Sequence, residues 1–199
     1  MFGYKRSKRR VEFGPYPLEN LIRDENIIKS EALSEPVRDQ PMSEGSYHFL
    51  TNALKTHLAA FEKLREPASY SKLAPVPNDL KLRTRDIKGS GYFLDASQVG
   101  IFNTFKNLWF EKINEEHSHG IAILVEYSDP IDSNNNANTW VAGNEHLIAT
   151  LLAAEIALDI SGQISSMGFL SKAHWRGSTD IDLDKATILS GLGIRKNNK

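Results

Sequence analysis

The sequence contains no cysteine among its 199 residues. That absence excludes disulfide bonds, thiolate catalysis, cysteine-ligated zinc sites and cysteine-ligated iron–sulfur clusters together. The chain also lacks an excess of either charge, because 24 basic residues face 25 acidic ones and the formal net charge is -1. No global electrostatic field therefore directs the protein toward nucleic acid or toward a membrane surface.

Several motifs with a known mechanism are also missing. The sequence has no GxGxxG or GxxxxGK[ST] phosphate loop, and Gly89-Ser90-Gly91 is too short to replace one. It has no HExxH zinc pair and no GxSxG nucleophile turn. No uninterrupted apolar run approaches the roughly 18 residues that a membrane-spanning helix needs. We therefore predict a protein that does not span a membrane.

The N-terminus is basic. Arg9-Arg10 resembles the start of a twin-arginine export signal, but the continuation Val11–Pro17 is polar and interrupted by prolines. An export signal requires an apolar region at that point, so we expect a cytoplasmic protein. The basic residues could contact phosphates, but without interleaved aromatic residues nucleic-acid binding is not favoured.

Proline placement predicts two parts. Pro15, Pro17, Pro36 and Pro41 disfavour helix in residues 1–42, which we expect to form an extended N-terminal arm. Residues 43–199 are predicted to form one α/β domain. Its first helix is expected to be capped by Ser43 or Ser46, to carry apolar residues from Phe49 to Phe61 and to stop before Pro67.

The predicted order of the remaining elements follows from hydrophobic periodicity. Residues 120–127 form a nearly continuous aliphatic run, which is typical of an interior strand buried on both faces. The apolar residues of 144–164 predict the longest helix, suited to a domain centre or a dimer interface through Leu147–Ile160. The other expected elements are a connection over 67–90, a strand at Gly91–Asp95, an amphipathic segment from Val99 to Trp109, a strand at Phe169–Trp175 and a helix over 182–192.

Two groups of residues could carry chemistry. The loop Lys172–Asp180 follows a predicted strand, where folds of this class place ligand groups. A structural capping loop, in which His174 and Trp175 pack, is the other interpretation, and both stay open. His117-Ser118-His119 beside Glu115 and Glu116 could bind a metal, but neighbouring residues at a helix end usually point in different directions, so a solvated terminus is favoured.

Three stretches resemble a known family. Gly14-Pro15-Tyr16-Pro17-Leu18-Glu19 is similar to the opening motif of cytoplasmic, non-respiratory reductive dehalogenases. Gly91–Gly100, with Asp95 before Val99-Gly100, resembles the segment with which that family enters its core. Residues 151–193 resemble the family's alanine-rich helix, glycine turn, strand and final helix, which ends here in Ser190-Gly191-Leu192-Gly193. Epoxyqueuosine reductases share this last pattern.

The resemblance implies an α+β fold, with a nitroreductase-like or corrinoid-binding-domain-like sheet, packing helices and the extended arm. Family members reduce carbon–halogen bonds with a corrinoid fed by two iron–sulfur clusters. The cysteine run that ligates those clusters is missing here, so the chain carries no iron–sulfur cluster. It is therefore expected to be a non-catalytic N-terminal module that supports a catalytic iron–sulfur half or forms a homodimer.

Two alternatives stay open at this point. The chain could be a small corrinoid- or flavin-binding oxidoreductase or carrier in its own right, with the region of Trp140 near its site. The predicted cofactor-binding residues would then be His174, Trp175, Arg176, Ser178 and Thr179, with His174 as a lower ligand of the corrinoid or a phosphate contact. A basic-armed interaction protein is the third class.

Overall fold

A computed structural model describes residues 23–38, 49–66, 70–111, 117–126, 134 and 141–194. Within these ranges the chain forms helices and one antiparallel pair of strands, so the α+β class is confirmed. The helices are α1 Glu25–Leu33, α2 Phe49–Phe61, α3 Leu80–Phe93, α4 Glu145–Ser166 and α5 Leu183–Leu189; the strands are β1 Gln98–Asn103 and β2 His119–Leu124.

The two strands bury alternate side chains on opposite faces of the sheet. Val99 pairs with Ile123, and Ile101 pairs with Ile121. These four side chains lie on one face and pack against the cluster that α3 and α4 build. The intervening residues, among them Phe102 and Ala122, face α5 and the 3-10 turn Lys106–Leu108. The period of two places helices on both faces of the sheet.

Close packing at one cross-strand pair requires a glycine in β2. Phe102 lies opposite Gly120, and its ring covers the glycine so closely that an added Cβ would lie 2.3 Å from the ring. Gly120 is therefore required by the approach of an aromatic side chain.

The longest helix, α4, confirms the predicted central helix. Leu147, Ala154 and Ile156 are buried in it, and it packs against α2, α3 and β2. By length and composition alone α4 could cross a membrane, with a mean hydropathy of 1.6 in its most apolar window. A core helix of a soluble protein passes the same test, so this property carries no conclusion here.

A buried lysine attaches α1 to the rest of the fold. Lys185 of α5 is 1% exposed, and its ammonium donates to the carbonyls of Ser34 at 2.6 Å and Asn107 at 2.9 Å. Asp182 caps α5 by accepting from the amide of Lys185, and it also accepts from the amide of Val37. The segment 1–42, predicted to be extended, therefore contains a docked helix; the boundary at residue 42 stays a prediction.

Three predicted elements are wrong. The predicted strand at Gly91–Asp95 is wrong because its first three residues form the end of helix α3. That helix begins at Leu80, within the stretch predicted to be a connection. The amphipathic segment from Val99 to Trp109 is a strand followed by the short 3-10 turn. Asp79 caps α3 by accepting from the amide of Lys81. The segment after it combines both periods, because Val99 and Ile101 are two residues apart while Ile101 and Phe105 are four apart.

The predicted strand Phe169–Trp175 is also wrong. It is irregular, and its β-type contact is a bridge between Trp175 and Ser178 across a tight turn. The final helix and the helix Phe49–Phe61 are confirmed. Ser43, Ser46, the motif at residues 14–19 and the loop residues 127–133 lie outside the described residues.

Candidate functional site

A large open groove lies beside the sheet. Its volume is about 910 Å³, and it is bounded by β2, α4, residues 168–176 and α5. The floor contributed by α4 carries small side chains at four-residue spacing, Ala149, Ala153 and Ala157. The predicted site residues His174, Trp175 and Arg176 also line the groove, and Trp175 packs against Ala154 of α4.

Arg65 organises the polar cluster at the end of the groove. Its guanidinium donates to the Ala173 carbonyl at 3.1 Å and to the carboxylates of Glu62 and Asp180, both at 3.0 Å. The side chain is 12% exposed. Lys172 makes a second ion pair with Asp180, at 3.0 Å. The planar fork of arginine can satisfy several acceptors at fixed angles, which a lysine cannot do.

The oppositely charged groups of the cluster favour one another's charged forms. Burial opposes ionisation of Asp180, but the hydrogen bond from Lys172 and the charge of Arg65 hold the pKa of Asp180 below its usual value. Burial is also outweighed at Glu62, whose pKa is lowered by hydrogen bonds from Ser178 and Arg65. Hydrogen bonds to Glu66 and Asp180 raise the pKa of Lys172. The three groups therefore remain charged at neutral pH.

His174 is held neutral in this cluster. The Nη2 of Arg65 lies 3.0 Å from Nδ1 of His174, and the amide of Asp180 donates to the same nitrogen at 3.4 Å. Because arginine only donates, Nδ1 accepts and the proton lies on Nε2. Burial, and then the charge of Arg65, lower the pKa of His174 from 6.5 to about 4. The donor set does not fit metal ligation by this imidazole, since one nitrogen accepts from Arg65 and the other carries a proton.

The structure brings the five predicted site residues together around one turn. Gly177, with a φ of +91°, allows the chain to reverse between Trp175 and Ser178. Trp175 is buried against Ala154 and Ala173, and Arg176 pairs with Asp184 at 3.5 Å. The hydroxyl of Ser178 donates to the carboxylate of Glu62.

Thr179 also bonds within the chain. Its hydroxyl donates to the Ile181 carbonyl at 2.8 Å and accepts from the Ile181 amide at 3.1 Å. These contacts fit the structural interpretation of the loop. A cofactor role for its residues stays a prediction.

Sequence reasoning missed Arg65 and Glu62. Their i,i+3 spacing at the end of α2 is a recognisable ion-pair signal. Their link to residues more than 100 positions later could not be read from that spacing.

The histidines near Gly120 form no metal centre in the described part of the chain, where no three His, Asp or Glu side chains converge. His117 stacks on Trp109 with a centroid distance of 5.5 Å, and Nδ1 of His119 contacts the Ser118 hydroxyl at 2.8 Å. Glu115, Glu116 and Trp140 lie outside the described residues.

Comparison with solved structures places this geometry among known folds. The catabolic reductive dehalogenase NpRdhA superimposes with a TM-score of 0.66 at 24% sequence identity, over 79% of this chain and 24% of that one. The structure described as suggesting a mechanism for B12-dependent dehalogenation gives a TM-score of 0.68 at 24% identity, over 79% and 22% of the two chains. The fold is one found in reductive dehalogenases. At this identity the likeness establishes the shared fold alone.

The extent of the reductive-dehalogenase-like fold is limited. A variant of NpRdhA superimposes with a TM-score of 0.67 at 22% identity, over 83% of this chain and 26% of that one. The chain thus spans about a quarter of the length of the solved structures that it matches. No protein-family model matches the sequence, and no curated protein matches it either.

Proposed function

We propose that the chain is a non-catalytic structural module of a reductive-dehalogenase-like system and supports a catalytic, iron–sulfur-containing part or a second copy. The observation that carries the proposal is the shared fold over 79% of this chain and about a quarter of a B12-dependent enzyme. The chain has no cysteine to ligate the clusters of such an enzyme. The reductive dehalogenation of the whole system would depend on the partner, and its proposed location is the cytoplasm.

The polar cluster supports a structural role. The hydrogen bonds of Arg65, Ser178 and Thr179 all end on groups of the same chain. His174 is neutral, and its Nδ1 already accepts from Arg65.

The first experiment tests for catalysis by the isolated chain. The purified protein is incubated with hydroxocobalamin, titanium(III) citrate and 3-bromo-4-hydroxybenzoic acid, a compound bound in one NpRdhA structure. We expect bromide release at the rate of the protein-free control. A saturable increase above that control, lost when the protein is heat-denatured, would overturn the non-catalytic assignment.

A second candidate function follows from the size of the groove. Its volume of about 910 Å³ lies within the range of about 300–1,000 Å³ that is typical of small-molecule sites. A corrinoid or flavin could therefore bind there, without ligation by His174, and the chain would act as a carrier. A saturable shift of the visible spectrum on titration with hydroxocobalamin or flavin mononucleotide would favour this function over the structural one.

A further inference from the structure

The strand β2 is covered on both faces, and no second strand pairs with it within the part of the chain that the structure describes. Ile121 and Ile123 pack toward the cluster of α3 and α4, while Ala122 packs toward α5. Only partial burial of this strand is observed, with Ala122 as its one buried residue. A strand that is apolar on both faces is typical of a sheet interior, where both edges are paired.

The hydrogen-bond pattern identifies the open edge. The amide of Thr104 donates to the carbonyl of Ser118 at 3.1 Å, in the same register as the ladder. Because bonded pairs alternate in an antiparallel ladder, Gly120, Ala122 and Leu124 bond to β1. The N–H and C=O groups of Ile121 and Ile123 then point away from β1, into the side where the groove lies. Among the residues that the structure describes, no group bonds to them.

At the outer edge of β1, side chains bond to the backbone groups. The Arg23 guanidinium donates to the carbonyl of Ile101 at 2.7 Å, and the Tyr92 hydroxyl accepts from the amide of Val99 at 3.2 Å. Side chains thus occupy the backbone groups of that edge, as is usual where a sheet ends. The edge of β2 has no such cover within the described ranges, so the sheet is built to continue on this side.

The opposite wall of the groove is also suited to an extended segment. Phe169 is 48% exposed and Leu170 is 69% exposed, and both line the groove. The backbone groups of Leu170 and Lys172 make no hydrogen bond within the described part of the chain. The small side chains of Ala149, Ala153 and Ala157 leave depth on the α4 floor for large side chains of an incoming strand.

We propose that the groove binds one extended, apolar strand of the partner polypeptide, which pairs with the free edge of β2. The six residues of β2 offer about 20 Å of edge. Large apolar side chains at alternate positions of the incoming strand fill the space above Ala153. This is strand addition, in which backbone bonds supply affinity and pockets for alternate side chains supply specificity. The inference rests on the proposed function as a structural module.

The groove favours a separate strand over a second copy. It is lined by β2, by α4 and by residues 168–176, and a groove enclosed by several elements suits one extended segment better than the edge of another folded sheet. The matched part of this chain makes up only about a quarter of the NpRdhA chain, so the solved structure has further polypeptide that could supply such a strand.

The experiment measures amide hydrogen exchange with a defined probe. The probe is a blocked peptide of about ten residues that alternates leucine and threonine between terminal lysines, and its control carries a central proline. In the free, monomeric protein we expect the amides of Ile121 and Ile123 to exchange much faster than those of Gly120 and Ala122. The leucine peptide should slow exchange at Ile121 and Ile123 by about tenfold or more, and the proline peptide should not.

Variants of the groove floor separate binding from folding. Ala153→Phe fills the space that the incoming side chains need and should weaken peptide binding by about tenfold or more. The matched control Ala153→Ser keeps a small side chain and should bind as the wild type does. Equal peptide affinity of Ala153→Phe and the wild type, with both variants folded by circular dichroism, would contradict the proposed groove.

Other occupants give different results. Protection of Ile121 and Ile123 in the dilute monomer would mean that another segment of this chain covers the edge, and concentration-dependent protection that follows dimer formation would mean a second copy. Either result overturns the strand proposal. The structural-module function would survive both, because it is overturned by catalysis in the bromide assay or by saturable cofactor binding, and neither result depends on what covers the edge of β2.

Discussion

Arg65 shows how much of this molecule depends on single polar side chains. It contacts the 3-10 turn that follows α2 through Glu62, the irregular segment through Ala173 and the turn before α5 through Asp180. It also lies 5.9 Å from the ring centroid of Trp175. One guanidinium therefore joins the end of α2 to a segment more than 100 positions later. The groove depends on that link because residues 168–176 contribute to its lining.

We expect Arg65→Met to lower the free energy of unfolding by about 3 kcal/mol, because it leaves the carbonyl of the buried Ala173 without this donor and removes one of the two ion pairs of Asp180. Arg65→Lys should lower it by about 1–2 kcal/mol, since the ammonium cannot replace the fork. Urea denaturation measures both. Arg85→Met is the control, because Arg85 is exposed and pairs with its neighbour Asp86, and its effect should stay within about 0.5 kcal/mol. Equal losses at both positions would contradict the role of Arg65.

His174 should make stability depend on pH. Its pKa is about 4 in the folded protein against 6.5 for an ordinary histidine, so the unfolded chain binds more protons between these values. Its contribution is complete above about pH 6.5 and is lost as the pH falls toward 4. Between about pH 7 and pH 5 the loss should be about 2 kcal/mol.

The variant His174→Asn is the matched control for this pH dependence. An amide oxygen can accept from Arg65 as Nδ1 does, but it does not titrate. Urea denaturation at several pH values should show a decline for the wild type and little change for the variant in this window. Parallel curves would mean that His174 is not the titrating group.

At the scale of elements, two helical layers hold a sheet of two described strands. The glycines of these elements differ in what surrounds them. Gly120 of β2 lies beneath the ring of Phe102, whereas a Cβ on Gly162 of α4 would lie 3.7 Å from the Tyr70 hydroxyl, an ordinary contact distance. One glycine is therefore required by packing, and the other is not.

We expect Gly120→Ala to destabilise the fold by about 1–3 kcal/mol, because the methyl group forces the Phe102 ring to move. Gly162→Ala should stabilise it by about 0.5–1 kcal/mol, since alanine is the better helix former and its methyl group has room. Thermal unfolding of the two single variants measures the difference in sign. A loss of stability in Gly162→Ala would contradict the space that we assign to it.

At the scale of the whole molecule, α1 belongs to the folded unit. Lys185 donates to the carbonyl of Ser34, and Asp182 accepts from the amide of Val37; both partners follow α1. Ile28 of α1 packs against the cluster that contains Phe102. A chain that begins at residue 43 would leave Lys185 buried without these partners. Burying an ammonium with fewer acceptors is costly.

The truncated chain 43–199 should therefore unfold at a denaturant concentration well below that of the full chain, with a loss of about 3 kcal/mol or more. The exposed pair of Lys29 and Glu25 supplies a control, because Lys29→Met removes a charge of α1 without detaching the helix and should change little. A truncated chain as stable as the full one would support the boundary drawn at residue 42.

The sequence determined the elements whose pattern has one interpretation. The apolar run before Tyr127 predicted a strand, the alanine-rich stretch after Asn144 predicted α4, and the missing cysteines excluded thiolate-ligated clusters, since that exclusion depends on composition alone. The resemblance to reductive dehalogenases anticipated the fold that the solved structures share.

The tertiary structure decided everything that depends on contacts between distant residues. Only the paired register of β1 and β2 showed that Val99 and Ile101 belong to a strand, because short apolar spacings fit two periods. Only the folded chain joined Arg65 to His174 and Asp180. The open edge of β2 could not be predicted from the sequence either. An apolar run indicates that side chains are buried, but it does not indicate which backbone groups are hydrogen-bonded.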